Sequence, residues 1–262
     1  MRLAIVLIFF ISSSVSAIAK CGGNGIYLLC STNGIYPLSK GPSLNKNGLM
    51  ILEFYALSQS IIPNLNKKFP IYLESNGQKT TLQVLEVLKG EMAVTQVILK
   101  PEQGLSEYQT YELHIGNLPK DVKEPIGFSL ELKTWGPIRF TFTNTSDNVA
   151  PDWICPPREI NKSVTQYGCG PAIWVEFEVS AIDESEIFVR AMVKNKLTGV
   201  ITNYILAIED GHVKVGHGMC SGPFKLQEKV DYEVTFQLMD QNGHKSESTQ
   251  TVAFTAPTDI EK

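Results

Sequence analysis

The residues of this chain best suited to chemistry lie together in Gly211-His212-Val213-Lys214-Val215-Gly216-His217-Gly218-Met219-Cys220. Imidazole, thioether and thiolate are soft-to-borderline donors that suit copper or zinc. His217 and Met219, separated by one residue, fall on one face of a strand, and the flanking glycines let the backbone bend toward an ion. His212 falls on the opposite face unless the strand bulges. The competing reading is a glycine-rich disulfide loop, in which an oxidised Cys220 is no thiolate ligand and Met219 simply packs. A metal set of His212, His217 and Met219 also lacks a second donor cluster to complete the coordination.

Other chemistry-bearing residues are more scattered. Asp183-Glu184-Ser185-Glu186 offers hard carboxylate oxygens for calcium, but without the spaced acids and glycine of an EF-hand loop it reads as a solvated hairpin tip. Trp135, Trp153 and Trp174 are candidate partner contacts, able to stack on sugar rings or anchor a protein, against the alternative that they pack across strands. The four histidines (His114, His212, His217 and His244) accompany no G-x-S-x-G elbow and no H-E-x-x-H pair. No G-x-G-x-x-G turn opens a helix for a dinucleotide. No catalytic residue and no cofactor are expected. Asn144-Thr145-Ser146 and Asn161-Lys162-Ser163 match the glycosylation triplet, which matters in a eukaryotic source.

The elements that must position these residues begin with a leader. Arg2 precedes the apolar run from Leu3 to Ile11, then a serine-rich stretch, then Ala17-Ile18-Ala19 before Lys20. Charge, apolar core and small residues in that order predict a secretory signal over 1–19, cleaved after Ala19. The run is well short of the ~20 residues that span a bilayer. Lys20 stands where a lipid-attachment signal needs a small residue, so plain cleavage is preferred over lipidation of Cys21. Loss of the leader leaves 22 basic against 27 acidic side chains. That mild acidity argues against nucleic acid as a partner, and no later stretch is apolar enough for a transmembrane segment.

Export makes disulfides the default for five cysteines: Cys21, Cys30, Cys155, Cys169 and Cys220. Cys21 and Cys30 each open a repeat of the form Cys-x-x-Asn-Gly-Ile-Tyr, and two Asn-Gly turns fold the segment so that they meet. Among the remaining three, Cys169–Cys220 is the preferred bridge, which leaves Cys155 as a possible free thiol. A shorter Cys155–Cys169 loop is the open alternative.

From Leu49 onward apolar residues recur with period two. Phe128, Leu130 and Leu132 form one such run, Ile138, Phe140 and Phe142 a second, Ile173 to Val179 a third, and Tyr232 to Leu238 a fourth. Each places one side-chain set on a core and the other in water. Turn pairs such as Asn76-Gly77, Asp210-Gly211 and Asn242-Gly243 separate the runs, and no long amphipathic crossover helix is present.

One repeat is specific. Leu105-x5-Tyr111-Glu112-Leu113-His114-Ile115 matches Leu226-x5-Tyr232-Glu233-Val234-Thr235-Phe236. It resembles, twice over, the tyrosine corner of immunoglobulin-type sandwiches, whose phenol bonds to upstream backbone. Residues 151–256 look like a bacterial Ig-like or fibronectin-type-III-like domain, with Tyr232 at the corner and Asp240-Gln241-Asn242-Gly243 as its last hairpin. Residues 41–117 resemble the Ig-like domains of bacterial surface proteins, and the whole is similar to exported two-domain bacterial proteins. The fold expected is all-β: two tandem Ig-like β-sandwich domains after a cleaved signal peptide. Their limits are 20–146 and 147–256, with the polar segment Thr143 to Asp152 between them and a disordered tail at 257–262.

The resemblance implies adhesion, spacing or ligand binding. The expected function is a non-enzymatic, secreted, periplasmic or cell-surface module for a protein or glycan partner of the envelope or medium. Soft-metal binding at His212, His217 and Met219, and a secreted hydrolase with an unfamiliar site, are the alternatives. Fold analogy alone does not choose among them.

Overall fold

The computed structural model describes residues 33–39, 41, 43–45, 48–129 and 133–259. The expected leader, Cys21, Cys30, Leu130 and Leu132 lie outside the described residues. The chain is all-β, with a 3₁₀ segment at Ala56–Asn64 that has no counterpart in the sequence reading. Its anchor is Asn33, whose Oδ1 accepts from both the backbone N–H and the hydroxyl of Ser58, a fully buried residue.

The N-terminal strands are β1 (Gly34–Pro37), β2 (Ser43–Leu44), β3 (Met50–Tyr55), β4 (Ile71–Ser75), β5 (Gln78–Lys89), β6 (Val94–Pro101), β7 (Thr110–Ile115), β8 (Ile126–Ser129), β9 (Thr134–Pro137) and β10 (Arg139–Phe142). Eight of them make one sheet in the order β1-β3-β6-β5-β4-β7-β10-β2, and β8 with β9 makes a separate hairpin. Strand β5 turns the sheet back on itself. Its start, Gln78–Thr81, pairs with β4, whereas Leu82 to Lys89 pairs with β6, and the register slips between Val84 and Glu86. A bulge bends the strand that carries it, so one long strand serves both faces of this layer. The faces enclose Leu52, Phe54, Leu73, Leu82, Leu99 and Phe140. Asn76 and Gly77, with φ of 49° and 75°, supply the left-handed turn into β5.

The C-terminal strands are β11 (Asp152–Tyr167), β12 (Gly170–Ile182), β13 (Ile187–Asn195), β14 (Ile201–Ala207), β15 (His212–His217), β16 (Asp231–Asp240) and β17 (Gln250–Thr255). They form a three-stranded sheet, β11-β12-β15, and a four-stranded sheet, β14-β13-β16-β17. The expected alternation is realised: Ile173, Val175, Phe177 and Val179 on β12, and Tyr232, Val234, Phe236 and Leu238 on β16, are all buried. Between the sheets the Phe177 ring meets Phe236 and Phe254 edge-on at 5.1 and 5.6 Å.

Both tyrosine corners are present. Tyr111 Oη accepts from the Ser106 N–H at 2.8 Å and Tyr232 Oη accepts from the Gln227 N–H at 2.9 Å, in each case five residues upstream.

The two halves pack tightly on each other. Strand β6 is buried on both faces: Val97 and Leu99 point into the N-terminal core, while Val94 and Ile98 join the core of the C-terminal sheets. On β3, Ile51 does the same. Gln96, fully buried, donates through Nε2 to Ile205 O at 2.7 Å and accepts from Ile205 N at 2.9 Å, so its side chain completes the β14 backbone as a strand would. Met92 and Gly222 exchange two backbone hydrogen bonds. The sequence reading expected two separate bodies. The unbroken apolar run Val97-Ile98-Leu99, beside Val94, is the signal of a strand covered on both sides.

Two further expectations change. Phe128, read as inward, is 46% exposed, because the β8–β9 hairpin stands off the main sheet. The segment after β17 stays tied as far as Thr258: Ala256 is buried and bonded to Lys229 and Val230, and the Thr258 hydroxyl donates to Glu228.

Candidate binding cleft

The β8–β9 hairpin sets Phe128 directly opposite Trp135, and their rings meet edge-on at 5.6 Å. Trp135 then meets Tyr36 of β1 at 5.7 Å, and Tyr36 meets Tyr55 of β3 at 5.7 Å, again edge-on. Four rings thus run in a row across three elements, in the geometry that the aromatic quadrupole favours. Three of them, Tyr36, Tyr55 and Trp135, line a cleft of about 630 Å³ together with Glu53, Ile126 and Ser221. Trp135 is 58% exposed.

Among the described residues, Glu53 is the one carboxyl that lines this cleft. It sits two residues from Tyr55 on the same face of β3 and directly opposite Tyr36 in the β1–β3 register. Tyr55 Oη donates to its Oε2 at 2.9 Å, and Tyr204 Oη and Gln96 Nε2 donate to its Oε1 at 3.0 and 3.3 Å. Burial pushes its pKa above the ordinary carboxylate value, and the three donors pull the other way. The Tyr55 and Tyr204 phenols are raised, first by burial and then by the Glu53 charge. The result is an apolar wall with one fixed polar group, an arrangement suited to holding a ligand in one orientation.

Of the three expected tryptophans, Trp135 alone lies here. Trp153 packs against the C-terminal core and donates from Nε1 to Ser248 O at 3.3 Å. Trp174 stands on the outer face of β12 between Ser163 and Gly216. Tyr36, Glu53 and Tyr55 were missed in the sequence, although an acid inside the apolar strand Met50-Ile51-Leu52-Glu53-Phe54 was a usable signal.

The expected soft-metal set is not assembled. His217 is buried, and its Nδ1 and Nε2 lie 2.8 and 3.1 Å from the carbonyls of Gly218 and Leu226, so each ring nitrogen faces a backbone carbonyl and not an open coordination point. His212 lies at the other end of β15, opposite Glu178. Cys220 is disulfide-bonded, as is Cys169, and therefore offers no thiolate. The glycines serve packing. A Cβ on Gly216, whose φ is +146°, would fall 2.0 Å from Ile173 O, and one on Gly222 would fall 2.5 Å from the Cα of His217.

Cys155 is a free, exposed thiol. It pairs with Ser180, whereas Cys169 lies in the turn closing Tyr167 against Gly170. At ~3.3 Å per residue the two are more than about 30 Å apart, far beyond disulfide reach, which removes the Cys155–Cys169 alternative.

A second concentration of polar groups joins the segment after β10 to the β16–β17 turn of the C-terminal sheets. Asp147, Asp240 and His244 bring a ligand atom each within 4.8 Å of one another. His244 Nδ1 lies 2.7 Å from Asp240 Oδ2.

No family model matches the chain, and no curated protein matches it. Solved structures give loose likenesses. A cytokine receptor complex aligns over 86% of this chain and 98% of its own, at 8% identity and a TM-score of 0.26. The N-terminal Ig1-2 module of the Drosophila receptor protein tyrosine phosphatase DLAR aligns over 86% and 97%, at 14% identity and 0.22. A pullulanase complexed with maltotriose, from Anoxybacillus sp. LM18-11, aligns over 82% of this chain at 7% identity and 0.23, and this chain spans only 25% of it. Likenesses this loose say nothing about function. No helix among the described residues is long and apolar enough to cross a membrane.

Proposed function

We propose that this chain is an exported, non-enzymatic binding module whose aromatic cleft receives a glycan of the cell envelope or surrounding medium. The observation that carries this reading is the row Tyr55, Tyr36, Trp135 and Phe128 beside a single buried acid. The C–H faces of sugar rings stack on aromatic faces, and a carboxyl accepts from sugar hydroxyls. A large exposed indole in such a row is costly to leave wet unless a partner covers it. Both oxygens of Glu53 are engaged by two phenols and an amide, which favours a fixed binding group over a free catalytic acid. The leader-like N-terminal sequence and the disulfide-bonded Cys169 and Cys220 favour an oxidising location outside the cytoplasm.

A protein partner is the second reading, favoured by β11. Among the described residues, this sixteen-residue strand pairs only with β12, and it exposes Ile154, Ile160 and Tyr167 along an edge able to accept another strand. A polysaccharide array and an envelope-protein pull-down, run in parallel with the mature chain, separate the two. Glycan binding lost in Tyr36→Ala supports the cleft. Capture of protein alone, unchanged by Tyr36→Ala, supports the β11 edge and overturns the glycan reading.

A further inference from the structure

We propose that the aromatic cleft recognises an ammonium cation, so that the glycan it takes carries free amines. The sugar in this statement rests on the reading above, whereas the charge rests on observations of its own. The first is a carboxyl without a countercharge. Glu53 lines the cleft, and the groups that hold it, the Tyr55 and Tyr204 phenols and the Gln96 amide, are all neutral. Among the described residues, no lysine, arginine or histidine lines the cleft or bonds to Glu53. A carboxylate withdrawn from water with no cation beside it is costly, and a ligand that brings the cation removes that cost.

The second observation is the acceptor capacity that remains. An ionised carboxyl offers about four lone-pair sites. Among the described residues, Oε1 of Glu53 takes the Tyr204 phenol at 3.0 Å and the Gln96 amide at 3.3 Å, whereas Oε2 takes the Tyr55 phenol alone, at 2.9 Å. Oε2 therefore keeps a site for one more donor, and a charged N–H makes the stronger bond there. The three neighbours favour the ionised form of Glu53 against the pull of burial, and a cation adds to their effect.

The third is the wall around the acid. Cations are drawn to the negative faces of aromatic rings. Tyr36 and Tyr55, both beside Glu53, are inclined at 67° to each other, and Tyr36 is inclined at 72° to Trp135. Rings turned in different directions suit a compact tetrahedral ammonium, while the exposed indole of Trp135 is left for the sugar ring that carries it. The cleft of about 630 Å³ has room for both. An acidic sugar would meet Glu53 as a like charge, and N-acetylation would remove the positive charge that pairs with it.

The test titrates the mature chain by calorimetry with a glucosamine tetramer, its N-acetylated counterpart, the glucose tetramer of the same linkage, and choline, whose charge is permanent. The glucosamine tetramer is expected to bind about tenfold or more tighter than either uncharged tetramer, with choline competing for its site. Glu53→Gln should abolish that preference. The comparison among ligands is made on the wild-type chain, so it stands even where Glu53→Gln fails to fold. Uncharged tetramers that bind as tightly as the glucosamine tetramer overturn the ammonium inference and leave the glycan reading standing. Choline bound with no tetramer bound upholds the ammonium site and overturns the glycan reading. No binding of any of the four overturns both, and an undiminished preference in a folded Glu53→Gln chain overturns the assignment to Glu53.

Discussion

Tyr204, on β14 of the C-terminal half, donates its phenol proton to Oε1 of Glu53, on β3 of the N-terminal half, at 3.0 Å. The acid of the aromatic cleft is therefore held by both halves of the chain, and the cleft depends on their packing. Tyr204→Phe removes one donor from a buried carboxyl and keeps the ring against Phe224. The expected loss is about 1–2 kcal/mol in urea unfolding, and an unchanged midpoint would show that the bond contributes nothing.

Glu53 gives stability a dependence on pH. Its folded pKa lies above the ordinary value of 4.5 because of burial. Between those two values the folded chain keeps a proton that the unfolded chain releases. The contribution is fully present below pH 4.5 and is lost as pH rises through the folded value. Urea unfolding from pH 4 to 8 should show this decline in the wild type and lack it in Glu53→Gln. A Glu53→Gln profile parallel to wild type would contradict it.

The shared core predicts that the halves unfold together. Ile98 and Val94 of β6 lie in the same cluster as Val189 and Val234. Calorimetry should give one cooperative transition, and Ile98→Ala should lower the stability of the whole by about 2–4 kcal/mol. Two resolved transitions in the wild type would mean that the halves are independent.

Much of this architecture was legible because it is local. Alternation in Ile173 to Val179 and in Tyr232 to Leu238 needs only the period of a strand, and both tyrosine corners are fixed within five residues of sequence. Phe128 misled because alternation does not tell a core strand from a hairpin that stands clear of the sheet. The glycines around His217 looked like freedom to wrap an ion, whereas Gly216 and Gly222 are positions where a second backbone passes too close for a side chain. Asp147, Asp240 and His244 are brought together only by the packing of the segment after β10 against the β16–β17 turn, and no pattern of spacing announces that. Asp183 drew notice in the sequence for its acidic neighbours, whereas its Oδ1 caps the turn by accepting from Ser185.

Cysteine chemistry offers a check on topology. Under native, non-reducing conditions a maleimide should modify Cys155 and leave Cys169 and Cys220 untouched. Non-reducing peptide mapping should yield no cross-linked peptide containing Cys155. A Cys155–Cys169 peptide would contradict the β11–β12 register.

The most direct test of the cleft is the affinity of the mature chain for the best array glycan, measured by calorimetry for wild type, Trp135→Ala and Trp174→Ala. Trp135 is more than half exposed, so its removal should leave the fold intact. Trp135→Ala should weaken binding by about tenfold or more, and Trp174→Ala, on the outer face of β12, should bind within twofold of wild type. Equal affinity in Trp135→Ala and wild type, or no glycan bound by either, would contradict the account.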